Sequence, residues 1–194
     1  MKSQSPLPLG ARSAPLSNAR LGMILFIASE AMLFGGLMAG YVVFRFGSGN
    51  FAGTERPPIG LPGLATLLML FGSAALIAAG RSLRRGETGR FRLGTLGAIL
   101  FGAIALGLEI IAWRELAAAG MTPASSLYGG IFYILSWVHA AHLLGGLALL
   151  AVSALRTHRA GASGREGGLP AAAALYWHFV TLVWLGLFIV LLVV

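Results

Sequence analysis

The sequence predicts an all-α polytopic membrane protein, a bundle of five transmembrane helices. Three observations favour this class. Hydrophobic residues make up 57% of the 194 residues, whereas charged residues make up only 10%. Apolar runs cover residues 21–44, 61–80, 93–113, 128–155 and 171–194, each long enough to cross a bilayer core of roughly 30 Å as a helix. No polar block could form a separate soluble domain, so we predict one transmembrane domain over residues 21–194.

The segments between the runs carry helix start and stop signals. Residues 1–20 hold three basic residues among serine, proline and alanine, without a signal peptide's apolar stretch and cleavage site, so we predict a short N-terminal tail. Pro57-Pro58 cannot continue a helix after the first span. Ser125 or Ser126 can cap the fourth span, and Pro170 suits the first turn of the fifth.

The basic residues predict the orientation of the bundle. The tail and the loops over residues 81–92 and 156–169 carry eleven of them on one side, against three on the other side. Because basic loops stay inside, the N-terminus is predicted in the cytoplasm and the C-terminus outside. Short clusters of this kind do not form the basic face of a nucleic-acid-binding protein, so no nucleic acid partner is expected. The candidates for contact with anionic lipid head groups are Arg45, Arg81, Arg84 and Arg85.

Glu30 is the single charge inside the first span. An ionised carboxylate there costs at least about 2.5 to 3.5 kcal/mol on insertion scales, so it should face protein or water. Two interpretations stay open. Glu30 is either a protonated carboxyl group that bonds a neighbouring helix, or a group that takes up and releases protons in a water-accessible cavity.

Small residues indicate how the helices pack, because lipid gives them no hydrophobic reason to associate. Gly36 and Gly40 form a close-packing motif in span one. Span three carries a ladder on one face, so Glu109 at its end should face a neighbouring helix; the ladder consists of Gly94, Ala98, Gly102, Ala105 and Glu109. Span four carries a similar stripe, which consists of Ser136, His139, His142, Gly145 and Gly146.

Counting residues from the predicted span ends gives the depth of the polar groups. Glu30, His142 and His178 can share the middle to cytoplasmic third, whereas Glu109 lies nearer the outer surface. Two polar groups of sites at different depths are therefore predicted. Glu109 is interpreted mainly as structural, because its packing ladder already explains its position.

The histidines allow three interpretations. His139 and His142, three residues apart, could ligate haem or a metal together with His178. They could instead form hydrogen bonds across the bundle, or serve a proton or head-group role. The sequence has no cysteine and no Glu-x-x-His pair, which excludes thiolate metal sites and cysteine nucleophiles and makes hydrogen bonds across the bundle the favoured interpretation.

Several motifs together resemble subunit III of the haem-copper cytochrome c oxidases. The run Leu-Gly-Met-Ile-Leu-Phe-Ile-Ala-Ser-Glu-Ala-Met-Leu-Phe resembles the family's signature helix and contains Glu30. Further matches follow in the family's order, and they are Pro57-Pro58, Glu109, Tyr128-Gly129, His139-Ala140-Ala141-His142, Gly145-Gly146, Tyr176-Trp177-His178-Phe179 and Val183-Trp184. The chain resembles the short, five-span form of the family.

The resemblance implies an accessory subunit that binds no redox metal, packs on the catalytic subunit I beside subunit II, and holds phospholipids between helices. Haem and copper would belong to the partner subunits. By matching position, Glu30 resembles the family's carbodiimide-reactive carboxyl group linked to proton uptake, and Glu109, His139, His142 and His178 are buried polar positions. The implied setting is the bacterial cytoplasmic (inner) membrane, with a respiratory supercomplex as a further association.

The sequence departs from the family pattern at two places. Thr181 stands where the family often has aspartate, and Leu108-Glu109-Ile110 replaces a common Gln-Glu-Tyr. Related small subunits occur with quinol oxidases and nitric oxide reductases, and these remain alternatives. A b-type cytochrome that binds haem through His139 or His142 with His178 is a third alternative, and a proton-coupled transporter around Glu30 is a fourth.

Overall fold

A computed structural model describes residues 18–47, 58–160 and 168–193. The helices are α1 (Asn18–Gly47), α2 (Gly60–Arg84), α3 (Thr88–Ala118), α4 (Leu127–Ala160) and α5 (Leu169–Phe188), and α5 continues as a π-helical turn over Ile189–Val193. All five are long and apolar enough to cross a membrane, which confirms the predicted fold class. Predictions on most of the N-terminal tail, on Pro57 and on Val194 lie outside the described residues.

The first four helices, α1 to α4, are each longer than their predicted spans. α1 begins at Asn18, inside the predicted tail, and α3 continues to Ala118, inside a predicted loop. The predicted loop over residues 81–92 is also mostly helical. The length of an apolar run matches the thickness of the bilayer core. Backbone hydrogen bonds allow the helix to continue beyond that core into the membrane–water interface.

Short turns join α2 to α3 and α3 to α4, where the sequence offers glycine and serine. Gly86 has a φ of 84°, and the Glu87 N–H donates to the Ser82 carbonyl at 3.0 Å, so α2 turns back into α3 within three residues. At the start of α4, Ser126 Oγ accepts a hydrogen bond from the Gly129 N–H at 3.0 Å, which confirms the predicted cap. Pro170 occupies the first turn of α5, as predicted.

The helices run alternately up and down. The α2–α3 turn, the end of α4 and the start of α5 all border one cavity, so they lie at one end of the bundle. We call this the arginine-rich end. α1 runs parallel to α5, because Phe26 contacts Tyr176 near one end and Met38 lies beside Gly186 near the other. α1 therefore also begins at the arginine-rich end.

The small-residue ladder of α3 packs as predicted. A Cβ added at Gly94 would lie 2.9 Å from Ala79 of α2, and Gly102 lies directly against the Trp177 indole of α5. Ala98 and Ala105 are completely buried. The ladder thus allows α3 to approach both neighbouring helices closely.

α5 lies at the centre and α1 at the edge. Nine of the 20 residues of α5 are buried, whereas α1 buries only Phe34 and Tyr41 among 30 residues. The predicted packing motif of α1 is not used within the described chain, because no atom approaches within 4 Å of a Cβ added at Gly36 or Gly40. That prediction is wrong for contacts inside this chain, since the buried face of α1 is instead formed by its aromatic residues.

Candidate functional site

Glu30 of α1 forms a direct hydrogen bond with His142 of α4. Glu30 Oε2 lies 2.9 Å from His142 Nε2, and the two side chains are 17% and 18% exposed. The other ring nitrogen, Nδ1 of His142, lies 2.7 Å from the carbonyl oxygen of Val138. The carboxyl group thus faces protein, as its cost in lipid requires.

The two contacts of the His142 ring determine how many protons the pair holds. A carbonyl oxygen can only accept, so Nδ1 of His142 carries a hydrogen and donates it to Val138. The 2.9 Å contact between Nε2 and Glu30 then needs one further proton, which sits either on the carboxyl group or on the imidazole. The pair therefore shares one proton and has no net charge in either form.

Aromatic residues of α1 and α5 pack against this pair. The Phe34 ring meets the His142 ring edge-on, with 5.0 Å between the ring centroids. Tyr176 of α5 donates its hydroxyl hydrogen to the His142 carbonyl oxygen at 3.3 Å. Tyr176 also packs against Gly145 and Gly146, so the predicted close approach at these glycines is confirmed.

Glu109 of α3 and His139 of α4 form a second, more deeply buried pair. Glu109 Oε1 lies 3.9 Å from His139 Nε2, and the side chains are 2% and 0% exposed. Neither side chain has a hydrogen-bond partner among the described residues. A small cavity of about 20 Å³ lies beside Glu109 and is also lined by Ser136. The predicted burial of Glu109 against a neighbouring helix is confirmed.

Trp184 of α5 encloses the second pair, which the sequence analysis did not anticipate. Its indole lies over His139 with 5.0 Å between ring centroids and 32° between ring planes, and its Nε1–H donates to Thr66 Oγ1 of α2 at 2.8 Å. One turn away, Ser73 of α2 donates to Thr181 at 3.2 Å. Helical spacing places three side chains on one face of α5: Trp177, Thr181 and Trp184. This shared face could have been recognised from the sequence.

His178 does not join the group around Glu30. It lines a cavity of about 580 Å³ at the arginine-rich end, together with residues of α2, α3 and α4. The prediction from depth alone therefore identified one neighbour of Glu30, His142, and not the other. His178 follows Trp177 by one residue, so it points about 100° away around the axis of α5.

The three histidines identified as candidates from the sequence lie in three different places. His139 contacts Glu109 and Trp184, His142 bonds Glu30, and His178 lines the cavity. Within the described ranges, no three His, Cys, Asp or Glu side chains come together in a group that could hold a metal ion. The arrangement suits bonding between helices better than ligation of haem by two facing histidines.

The arginine candidates for lipid contact lie at both ends of the bundle. Arg81 and Arg84 belong to the last turn of α2, and Arg85 follows it, all at the arginine-rich end. Arg45 lies in the last turn of α1, at the opposite end. Glu87 is engaged by Arg90 at 2.9 Å, so it does not neutralise the arginines of α2.

Fold and polar pairs together define a multi-pass helical membrane protein whose buried carboxyl groups are matched with histidines of α4. A family model described as cytochrome c oxidase subunit III matches residues 10–193. This chain belongs to the cytochrome c oxidase subunit III family.

Individual relatives agree with the family match. The cytochrome c oxidase subunit 3 of Corynebacterium diphtheriae is 32% identical over 87% of this chain and 84% of its own length. The protein of the same name from Bacillus subtilis is 33% identical over 89% of this chain and 84% of its own length. That of Lycodon semicarinatus is 31% identical over 89% of this chain and 68% of its own length. The similarity thus covers almost the whole bundle.

Proposed function

We propose that this chain is the accessory subunit III of a proton-pumping haem-copper terminal oxidase of the cytochrome c type. Its membership of the subunit III family over residues 10–193 is the observation that carries this proposal. The chain would pack on the catalytic subunit I, beside subunit II, and it would contribute no redox metal and no catalytic residue. The positions of the candidate histidines support a subunit without a redox metal. His139 contacts Glu109, His142 bonds Glu30 and His178 lines a separate cavity.

The open face of α1 supports the association with another subunit. Gly35, Gly36 and Gly40 have no neighbouring atoms within 4 Å of an added Cβ, and Met32 on this helix is 80% exposed. Small residues allow helices in a membrane to approach closely. A transmembrane helix of subunit I is the partner proposed for this face.

A role in proton uptake is proposed for Glu30 and His142. The pair holds a single proton that can sit on either group, and both side chains keep some exposure at the edge of the bundle. Transfer of the proton from the carboxyl group to the imidazole leaves the pair without net charge, so a proton that enters on one group and leaves from the other returns the pair to its uncharged state. The pair would support turnover from beside the redox centres.

The setting proposed is the bacterial cytoplasmic (inner) membrane, with the N-terminus inside and the C-terminus outside. The arginine-rich end supports this orientation, since basic residues remain on the cytoplasmic side. Its arginines would bind anionic phospholipids, and association in a respiratory supercomplex is a further proposal.

Co-purification tests the proposed function most directly. A tagged copy of the full chain, expressed in its own host and extracted in mild detergent, should bring down a haem-copper subunit that gives a haem absorption spectrum. Isolation of the chain free of any haem protein would contradict the proposal. Reduction of the captured complex by cytochrome c, compared with a quinol, identifies the electron donor.

Matched glycine variants locate the contact on the partner. G36L on the open face of α1 should weaken retention of the haem subunit, because the larger side chain obstructs close approach. G97L on α3 serves as the control, since Gly97 also has no atoms near an added Cβ. Equal retention by both variants would remove α1 as the contact surface.

A further inference from the structure

A further cavity lies at the arginine-rich end, between the start of α3 and the end of α4, and we call it the α3–α4 cavity. Its volume is about 260 Å³. The residues that line it are Thr88, Gly89, Phe91, Arg92, Ala154, Thr157 and His158. It is smaller than the cavity beside His178, and the buried residue Phe91 lines both.

The wall of the α3–α4 cavity is mostly polar. Among its seven lining residues, only Phe91 and Ala154 carry apolar side chains. On α3 the lining residues all precede Leu93, the first residue of the predicted third span. The cavity therefore lies beyond the apolar core, at a level that dissolved ions reach, and it lacks the apolar walls that would hold an acyl chain.

The charged and polar side chains of the cavity suit an anion. Arg92 is exposed and forms no ion pair with a described residue. His158 brings a further nitrogen donor. The neighbouring acidic residue Glu87 is engaged by Arg90 at 2.9 Å. Because the start of α3 and the end of α4 have opposite helix dipoles, these side chains determine the sign of the site.

Two unused hydrogen-bond donors border the cavity. Thr157 is only 4% exposed, yet its hydroxyl group forms no hydrogen bond with a described residue. Gly89 lies in the first turn of α3, where its N–H has no acceptor within the helix and Glu87 gives no side-chain cap. Since buried polar groups nearly always have a partner, the hydroxyl group of Thr157 points to a ligand that supplies an acceptor.

We propose that the α3–α4 cavity binds a phosphate ion from solution. The oxygens of a phosphate would accept hydrogen bonds from the Arg92 guanidinium, the Thr157 hydroxyl group and the Gly89 N–H. The volume of the cavity lies below the range of about 300 to 1,000 Å³ for sites of drug-sized ligands, as a small ion requires. The inference goes beyond the proposed function, and it needs no other oxidase subunit, because every lining residue belongs to this chain.

Binding of labelled phosphate provides the test of the charged contact. Purified complex that contains the full chain is dialysed to equilibrium against radiolabelled phosphate in a chloride buffer. We expect saturable binding with which sulfate competes, since sulfate is also a tetrahedral anion. R92Q should lower the affinity for phosphate about tenfold, as expected for loss of one charge-assisted hydrogen bond. R85Q is the control, because Arg85 does not line the cavity, and it should change the affinity by less than about twofold.

Variants on α4 test the location independently. T157V keeps the shape of the side chain but removes its hydroxyl group, so it should lower the affinity for phosphate about fivefold. S153A is the matched control. Ser153 lies about one turn earlier on α4 and is also buried, but it does not line the α3–α4 cavity, so S153A should leave the affinity unchanged.

Three results would each overturn the proposal. They are a lack of saturable phosphate binding, equal affinities of R92Q and R85Q, and equal affinities of T157V and S153A. Phosphatidylglycerol is added as a separate competitor, and displacement of the bound phosphate by it would also overturn the proposal, because the cavity would then hold a lipid head group. Retention of haem by each variant is recorded separately, so failure of this site is distinguished from failure of the proposed oxidase association.

Discussion

Glu109 and His139 face each other at 3.9 Å inside the closed interior of the bundle, whereas Glu30 and His142 meet at 2.9 Å near its edge. The longer separation exceeds that of a hydrogen bond. Both acidic residues lie opposite histidines of the same helix, but only the outer pair makes direct contact. A small cavity adjoins Glu109 of the inner pair.

We expect one water molecule beside Glu109, where it would form hydrogen bonds with Glu109 and Ser136. The adjoining cavity of about 20 Å³ exceeds the roughly 10 to 15 Å³ that one water needs. Glu109 and Ser136 line it and supply polar partners. An experimental density map at a resolution that reveals ordered water should contain a peak there. An empty, dry cavity would contradict the expectation.

Replacement of Glu109 by alanine should destabilise the bundle. E109A removes the carboxyl group to which the expected water binds, and a buried polar group that loses its partner costs about 1 to 3 kcal/mol. E109Q should retain most of the stability, because an amide can still bond the expected water. Thermal unfolding in detergent measures both, with E115Q as a control at an exposed glutamate of α3. A fully stable E109A would contradict the structural role.

Variants of Glu30 can separate the role of its hydrogen bond to His142 from a role in proton exchange. In E30Q the amide can donate to His142 Nε2, because Nδ1 already donates to Val138. We expect assembly to be intact, stability to change by less than about 0.5 kcal/mol, and proton-linked turnover to fall modestly. Oxygen consumption and proton release of the reconstituted complex measure the effect.

The leucine variant is the control for Glu30. E30L removes the bond as well as the proton, so it should weaken the bundle by about 0.6 to 1.7 kcal/mol, the range measured for polar contacts between membrane helices. Unchanged turnover in E30Q would leave Glu30 with a packing role alone. Complete loss of oxygen reduction in an assembled E30Q complex would contradict a supporting role.

Trp184 and Thr66 should show direct energetic coupling between α5 and α2. W184F keeps a ring over His139 but loses the Nε1–H bond to Thr66, and T66V removes the acceptor. Each change should lower the unfolding free energy, and a double-mutant cycle should give a coupling of about 0.6 to 1.7 kcal/mol. Strictly additive losses would show that the bond contributes nothing.

Glycine variants on α3 test the closeness of the helices. G102A places a methyl group against the buried Trp177 indole and Leu147, so it should destabilise the bundle by about 1 to 3 kcal/mol through overpacking. G107A is the matched control, because no atom lies within 4 Å of its added Cβ. It should be neutral or slightly stabilising, since alanine favours a helix. Equal stability of the two variants would contradict the packing.

The sequence predicted the number of helices and the small-residue face of α3 because both depend on periodicity and composition. The length of an apolar run predicts a helix that crosses the bilayer, and the ladder that ends at Glu109 predicts which side of α3 packs against other helices. Neither depends on where the other helices lie. For the same reason, the motif of Gly36 and Gly40 could be recognised on α1, but its partner could not.

The sequence could not predict which histidine contacts which glutamate, although depth alone placed His142 near Glu30. His139 and His142 are separated by three residues, or about 60° around the helix, which is enough for one to face α3 and the other to face α1. Which helix each histidine faces depends on how α4 is rotated about its axis. The packing of Phe34, Tyr176 and Trp184 determines that rotation. Depth along the membrane was readable from sequence, but rotation about the helix axis was not.

The contacts of α1 have a consequence for membrane insertion. Glu30 bonds α4, and Phe26 and Met38 contact α5, two helices that leave the ribosome after α1, α2 and α3. Until α4 has entered the bilayer, the nascent chain holds Glu30 without His142, in a helix that is otherwise apolar. An insertase or a subunit assembled earlier would have to shelter that carboxyl group, so defects at His142 should first appear as degradation of newly made protein.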